Sequence, residues 1–267
     1  MRDGRSQRIG EWLLLYGVSV LGALVLSAML VQATGGEWRP VLSALLDGSL
    51  RNPGRWGETL GHAAPLLLVA LGTIISSQAG LINIGQEGQL LVGAATATYF
   101  GLLIGGPGPL NVAIILLFGI VGGAFWASLA AGLRFFRGVP EVLSTLLLVT
   151  VASQAVAYAL GRQWLLLAPE ADRGNRNQVS QQLAEGNRLA RIELFGNEFP
   201  LTVFFALALA ALVAFAMGRT IWGFRLSMMG KNPRAAKRFG VAEQTYGTGA
   251  LLVGGGFAGL AGAAMLA

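Results

Sequence analysis

The sequence predicts an all-α membrane protein, a polytopic bundle of transmembrane helices, and three observations carry that prediction. The chain is 54% hydrophobic and only 12% charged, whereas soluble domains carry about 25% charged residues. The 24 residues from Leu110 to Leu133 contain no ionisable side chain, and a helix of that length crosses the roughly 30 Å hydrocarbon core of a bilayer. The short alternating segments typical of membrane β-barrels are not seen, so each apolar segment is predicted to be helical.

Breaking the chain at charges and at Gly/Pro clusters gives seven predicted spans within one membrane domain covering residues 1–267. The spans are 12–32, 59–79, 88–104, 110–133, 141–161, 199–217 and 245–267. With a cytoplasmic N-terminus, the inner regions hold eleven basic and five acidic residues, and the outer loops hold eight of each. This positive-inside bias favours that orientation, and it explains the net charge of +6 without a nucleic-acid partner.

Two segments depart from the regular alternation of span and short loop. Residues 164–198 are long, polar and of mixed charge, which predicts an external loop. The apolar run from Gly254 to Ala267 is followed by no polar anchor, so we expect this sequence to be a C-terminally truncated piece of a longer protein.

Polar residues interrupt the apolar pattern between the second and third spans. Gly80, Gly85 and Gly88 break the helical pattern there. Four polar residues accompany them and are our first candidates for lining a translocation path: Asn83, Gln86, Glu87 and Gln89. Irregular backbone at membrane depth is tolerated where it lines water or is buried in protein, so this segment predicts a discontinuous helix beside a solute path. The alternative is a short cytoplasmic turn with a hydrated glutamate.

A second polar group opens the fifth predicted span. Pro140 suits the first turn of a helix, and the Glu141 carboxylate favours the positive end of the helix dipole. Ser144 and Thr145 lie one turn further on, and we add all three of Glu141, Ser144 and Thr145 to the path candidates. The alternative is that both hydroxyls bond to backbone carbonyls of their own helix.

The basic segment 219–244 is predicted to be a cytoplasmic loop that contains one short helix. Asn232 is a good N-cap, Pro233 fits the first helical position and Gly240 fits the C-terminal cap, which predicts a helix over 233–239. Ala235, Ala236 and Phe239 give this helix an apolar strip, and its charges come from Arg234, Lys237 and Arg238. Such a helix suits docking into a partner's groove, and the alternative is a basic loop resting on anionic lipid headgroups.

Three motifs resemble the permease subunits of bacterial ABC importers, in the group for nucleosides and simple sugars near the ribose-type and branched-chain amino acid permeases. The motifs are Gly80-Leu-Ile-Asn-Ile-Gly-Gln-Glu-Gly-Gln89, Glu141-Val-Leu-Ser-Thr145, and Gly223-Phe-Arg-Leu followed by Gly230-Lys-Asn-Pro-Arg-Ala-Ala236 and Gly240. The resemblance covers residue 57 to the end, with the motifs in the family's order and spacing.

The resemblance implies an ATP-driven uptake system in the bacterial cytoplasmic membrane. Its other parts would be a second permease subunit, two cytoplasmic ATPase subunits and an external solute-binding protein. It also implies that the coupling helix within 232–239 is received by the ATPase. The residues expected at that contact are Gly230, Asn232, Pro233, Arg234, Ala235, Ala236 and Phe239.

The sequence also bears on which chemistry this chain performs. No phosphate-binding loop occurs, since Gly230-Lys231 is followed by Asn, so ATP is expected to be bound and hydrolysed by partner subunits and no cofactor is expected here. Cys is absent and His occurs once, which argues against a metal centre. Three alternatives stay open: a branched-chain amino acid permease, an ion-coupled carrier with Glu87 or His62 as its proton site, and a membrane enzyme, for which no residue cluster was found.

Overall fold

The computed structural model describes residues 3–52, 55–104, 108–166, 180, 189–194 and 196–266. Helices dominate these residues, which confirms the all-α fold class. The α-helices are α1 (Asp3–Ala33), α2 (Trp38–Leu46), α3 (Arg55–Gln78), α4 (Gln86–Ile104), α5 (Gly108–Arg137), α6 (Glu141–Leu160), α7 (Leu201–Arg219), α8 (Ile221–Lys231), α9 (Pro233–Arg238) and α10 (Glu243–Ala264). Strands β1 (Arg191–Leu194) and β2 (Asn197–Pro200) precede α7.

The chain divides into two compact units, Met1–Trp56 and Gly57–Ala267. In the first unit, α1 is a long apolar helix, and α2 continues into a π-helical turn at Asp47–Arg51. An apolar groove lies between the two helices, lined by Val31 of α1 and by Trp38 and Leu45 of α2, among other residues. The second unit contains the remaining helices and the strands, and the rest of the description concerns it.

Six of the described helices are long and apolar enough to cross a membrane, as expected of a multi-pass membrane protein. They are Gly10–Ala33, Arg55–Gln78, Gly108–Arg137, Glu141–Leu160, Leu201–Arg219 and Glu243–Ala264. The predicted span 88–104 corresponds to α4, which is helical but is not one of the six. Its first turn is Gln-Glu-Gly-Gln, and these polar residues lower the mean hydropathy of a 19-residue helix.

Glycines allow close packing of α10 against α5 in the core of the second unit. A Cβ atom placed on Gly123 would lie 2.7 Å from the Cα of Gly259, and one on Gly255 would lie 2.6 Å from the carbonyl oxygen of Gly123. The two helices run antiparallel, because Gly119 meets Ala263 at one end and Phe135 meets Gly247 at the other. Where lipid supplies no hydrophobic drive, such small residues let helix backbones approach closely.

The strands form an antiparallel hairpin in which Arg191 pairs with Pro200. This hairpin was not predicted from the sequence, which instead suggested a membrane span beginning at residue 199. The helix begins at Leu201 instead, because residues 197–200 are paired as a strand. Most of the predicted external loop 164–198 lies outside the described residues, which include only 164–166, 180, 189–194 and 196–198 of that range.

Candidate functional site

The predicted discontinuous helix corresponds to a non-helical segment, residues 79–85, between α3 and α4, which we call the break. Helix α3 runs antiparallel to α10, whereas α4 runs antiparallel to α5, so α3 and α4 run in opposite directions and are not two halves of one helix. Helix α3 ends in a Schellman motif, in which Leu81 N donates to the Ser76 carbonyl (3.0 Å) and Gly80 N donates to the Ser77 carbonyl (3.0 Å). Gly80 has a φ of +77°, a left-handed conformation that favours glycine. Residues 81–84 are not helical, and α4 starts at Gln86.

The position of the break along α10 follows from the contacts of the residues on either side of it. A Cβ atom on Gly254 of α10 would lie 2.7 Å from the Ser76 hydroxyl, just before the break. Eight residues further along α10, Gly262 contacts the backbone of Leu90, just after the break. Ala79 and Leu81 share a core cluster with Val241, Ala250 and Leu251, so the break begins beside the first half of α10, which extends from Glu243 to Ala264.

Two of the path candidates, Asn83 and Gln89, bind each other inside the break. Asn83 Nδ2 donates to Gln89 Oε1 (3.1 Å), and Gln89 Nε2 donates to Asn83 Oδ1 (3.2 Å). Asn83 Oδ1 also accepts from the backbone N–H of Gly85 (3.0 Å). Both side chains are buried, so this amide pair holds the shape of the break and is not exposed to a passing solute.

Gln86 fastens the start of α4 to α3. With its amide oriented to suit both neighbours, Gln86 donates to the Val69 carbonyl (2.9 Å) and accepts from the Thr73 hydroxyl (2.9 Å). Gly88, two residues on, faces α6, where an added Cβ would lie 3.0 Å from the Cα of Val149. Between these two contacts, Glu87 is exposed. Glu87 is therefore the path candidate of this segment whose side chain is open to its surroundings.

The three path candidates on α6 have partners within the bundle. Ser144 and Thr145 are buried, and their hydroxyls donate to the Glu141 carbonyl at 3.1 and 2.7 Å. The Glu141 carboxylate pairs with Arg134 at the end of α5 (3.2 Å). A Cβ on Gly85 would lie 2.9 Å from that of Thr145, so this part of α6 packs directly on the break. The hydroxyls of Ser144 and Thr145 are therefore bonded to backbone carbonyls of their own helix, as the alternative interpretation predicted.

The short helix predicted over 233–239 is present as α9. The Asn232 side chain caps it by accepting from Ala235 N (3.1 Å), and Pro233 is its first residue. A second Schellman motif ends it, with Val241 N donating to the Ala236 carbonyl (3.0 Å) and Gly240 at a φ of +76°. The capping residues alone therefore predicted this element within one residue.

The three residues of the predicted apolar strip on α9 do not form one exposed face. Ala236 is 1% exposed and lies in a core cluster with Leu226, Met229 and Val241, so it fastens α9 to the bundle and is not available to a partner. Phe239 is 78% exposed. The other exposed residues expected at the ATPase contact are Asn232, Pro233 and Arg234, while Gly230 and Ala235 are half-buried.

A contact that the sequence analysis missed joins α8 to the end of α3. A Cβ atom on Gly80 would lie 2.9 Å from the Cα of Gly230, and one on Gly230 would lie 2.8 Å from the backbone nitrogen of Gly80. Next to this backbone contact, the Ser227 hydroxyl donates to Gln78 Oε1 (3.2 Å). We call this contact, formed by Gln78 and Gly80 with Ser227 and Gly230, the α3–α8 joint. In the sequence, the only indication of this contact was that both glycines, Gly80 and Gly230, belong to the motifs shared with the permease family.

Removing the Asn83 side chain should destabilise the bundle. In Asn83→Ala the buried Gln89 amide and the Gly85 N–H lose their partner, and each unpaired buried group costs about 1–3 kcal/mol. Asn232→Ala is the control, since loss of an exposed cap costs about 1 kcal/mol. Thermal unfolding of purified protein in detergent measures both. An equal loss of stability in the two variants would contradict the structural role of the amide pair.

The fold and the site together define a membrane transport protein. Several membrane-spanning helices pack around the break, which is followed by the exposed carboxylate of Glu87, and a backbone contact links the break to α8, the helix that precedes the small capped helix α9. Among the described residues, no group of three or more His, Cys, Asp or Glu side chains could hold a metal ion.

The chain belongs to the family described as the branched-chain amino acid transport system / permease component, whose family model matches residues 57–267. The glucose ABC transporter permease protein of Haloferax volcanii is 32% identical over 274 residues, covering 97% of this chain and 70% of that protein. The guanosine ABC transporter permease protein of Bacillus subtilis is 27% identical, covering 92% of this chain and 69% of that protein. No solved structure matches the chain.

A nucleoside ABC transporter permease protein of Lactococcus lactis subsp. cremoris is 28% identical, with 91% of this chain and 66% of that protein covered. The chain thus spans about two thirds of the length of these curated relatives. The resemblance found from the three sequence motifs is confirmed at the level of the family.

Proposed function

We propose that this chain is a permease subunit of an ATP-driven importer, which carries a small uncharged polar solute across the bacterial cytoplasmic membrane. The observation that carries the proposal is the α3–α8 joint. It places Gly230, two residues before the N-cap of α9, in backbone contact with Gly80 at the start of the break. Movement of α9 by a partner would therefore be transmitted through α8 to the break, next to which the solute would pass.

The proposal assigns α9 and the N-terminus to the cytoplasm. The exposed basic residues Arg234, Lys237 and Arg238 on α9 suit that side by the positive-inside rule. Phe239 would enter a groove of the ATPase, with these charges around it. The same assembly would contain a second permease subunit, an external solute-binding protein and surrounding membrane lipid. ATP would be bound and hydrolysed by the ATPase alone.

In this proposal the path candidates have two different roles. The open carboxylate of Glu87 faces the solute, at a level alongside the second half of α10. Asn83, Gln86 and Gln89 keep the break in its shape through their buried hydrogen bonds. A second group of residues supports the break from α6: Glu141, Ser144 and Thr145.

Movement would pass from the ATPase to the path in two steps. Closure of the ATPase displaces α9, which Ala236 fastens to the core cluster that also contains Leu226 and Met229 of α8. Helix α8 then displaces Gly80 at the joint, and the break changes its opening. The contacts with the solute should be weak, because a permease has to release what it carries.

A nucleoside or a simple sugar is the proposed solute, as in the names of the matched relatives. A carboxylate at the path favours solutes with hydroxyl or amide donors over anions, because like charges repel in a poorly solvated site. A branched-chain amino acid is the second candidate, since the family model is described by that transport system.

Uptake into proteoliposomes tests the proposal. The full-length permease, its ATPase and its binding protein would be reconstituted, and uptake of labelled glucose, guanosine and leucine would be measured separately. We expect uptake of glucose or guanosine that requires ATP and the ATPase. Leucine uptake would favour the second candidate. Uptake driven by a proton gradient without ATP would overturn the proposal and favour the ion-coupled alternative with Glu87 or His62.

A further inference from the structure

A polar cavity of about 330 Å³ lies between α3 and the end of α8. Its lining residues are Thr73, Ile74, Ser77, Gln78, Gly230 and Lys231, and we call it the α3–α8 recess. Four of these six residues, Thr73, Ser77, Gln78 and Lys231, have polar side chains. A larger cavity between α5, α7 and α10 is lined by apolar side chains such as Ile120, Leu209 and Phe257, which suits lipid chains and not a polar solute.

The recess shares a wall with the α3–α8 joint. Gly230 lines the recess and also contacts the backbone of Gly80. Lys231 lines it as well and immediately precedes Asn232, the N-cap of α9. Because the two walls belong to different helices, any displacement of α8 against α3 changes the width of the recess. The position of α9 and the size of this cavity are thus geometrically linked.

The recess is also linked to the break. Thr73 lines the recess, and its hydroxyl is hydrogen-bonded to Gln86 in the first turn of α4. The next residue of that turn is Glu87, whose side chain is exposed. The Thr73–Gln86 hydrogen bond therefore connects the wall of the recess to the first turn of α4.

We propose that the α3–α8 recess is a transient binding site for the transported solute, and that movement of α8 opens and closes it. This inference rests on the proposed function and adds a site for the solute and the movement that controls access to it. Three of the four polar lining side chains, those of Thr73, Ser77 and Gln78, are neutral hydrogen-bonding groups. They suit an uncharged molecule rich in hydroxyl groups, of the size that a cavity of a few hundred cubic ångströms holds.

Cysteine labelling at Ser77 tests the site, because residues 1–267 contain no natural cysteine. Ser77→Cys is a nearly isosteric change of an exposed residue in the recess. The reconstituted transporter would be treated with a membrane-impermeant methanethiosulfonate reagent, and modification of residue 77 would be followed by mass spectrometry. Phe136→Cys in the last turn of α5, also exposed but outside the recess, is the control.

Two changes in the labelling rate are expected for Ser77→Cys and not for Phe136→Cys. Trapping the ATPase with ATP and vanadate should change the rate about fivefold or more, in the range typical of coupling between two sites. Saturating transported solute, glucose or guanosine, should slow the reaction, whereas glucose 6-phosphate and guanosine monophosphate should not.

Each part of the inference has its own contradicting result. Equal rates with and without trapped nucleotide would overturn the link between the recess and α8. No protection by a solute that the same vesicles take up would overturn the binding site, and equal protection by phosphorylated compounds would overturn the neutral class. Failure of the proposed function is distinguishable, because it shows as missing ATP-dependent uptake in the unsubstituted transporter.

Discussion

Replacing Phe239 with alanine should weaken binding of the partner ATPase by roughly 30-fold, because exposed aromatic anchors at an interface contribute about 2 kcal/mol or more. Phe239 is 78% exposed and follows the last residue of α9, where it contributes little to the packing of its own chain. The affinity of the isolated ATPase for the detergent-solubilised permease measures the effect, and uptake per vesicle measures its consequence for transport.

Phe136→Ala is the matched control for this substitution. Phe136 is 76% exposed and lies in the last turn of α5, where Arg134 and Arg137 make the surroundings similarly basic. Its replacement should leave ATPase affinity and uptake unchanged. If both variants bind the ATPase as tightly as the unsubstituted permease, α9 is not the docking element. Ala236 cannot serve for this test, because it is buried and a bulky replacement would disturb the core.

Replacing Gly230 with alanine should uncouple transport from ATP hydrolysis. The new methyl group would collide with the carbonyl oxygen of Gln78 and lie 2.8 Å from the nitrogen of Gly80, so α8 has to move away from α3. Overpacking of this kind costs about 1–3 kcal/mol. We expect a lower unfolding temperature and about tenfold less uptake for each ATP hydrolysed, since 1.4 kcal/mol corresponds to a factor of ten.

Gly249→Ala provides the comparison for this second substitution. Gly249 is also a helical glycine, in α10, but a Cβ placed on it has no neighbour within 4 Å. Alanine there should leave uptake unchanged and raise stability slightly, because alanine is the better helix former by about 1 kcal/mol. Unchanged uptake for each ATP hydrolysed in Gly230→Ala would show that the joint does not transmit movement.

Local signals predicted the elements that depend on a few neighbouring residues. Asn232, Pro233 and Gly240 act within one or two helical turns, so their pattern was sufficient to locate α9. The break after Gln78 was predictable for the same reason, since closely spaced glycines among polar residues disfavour a continuous helix. Long apolar runs likewise predicted the spans, because bilayer thickness sets their length.

Contacts between distant segments could not be predicted in the same way. The contact of Gly80 with Gly230 and the burial of Ala236 depend on how α8 and α9 pack against the rest of the bundle, which no local pattern encodes. From the sequence alone, Asn83 and Glu87 were equivalent candidates for the path, although Asn83 is buried and Glu87 is exposed. Helix α8 was missed because Gly223 and Gly230 lower its propensity, and it is stabilised by burial of Leu226 and Met229.

Because Gly80 and Gly230 meet at the joint through backbone atoms, no change of rotamer can absorb a displacement between these two residues. Helix shifts of about 1–2 Å, common in such transitions, would therefore reach the break almost undiminished. Cargo preference, by contrast, would depend on side chains such as Thr73 and Ser77. Substitutions at those two positions would change which solute is carried and leave the α3–α8 joint unchanged. Related permeases could therefore differ in solute while coupling to the ATPase in the same way.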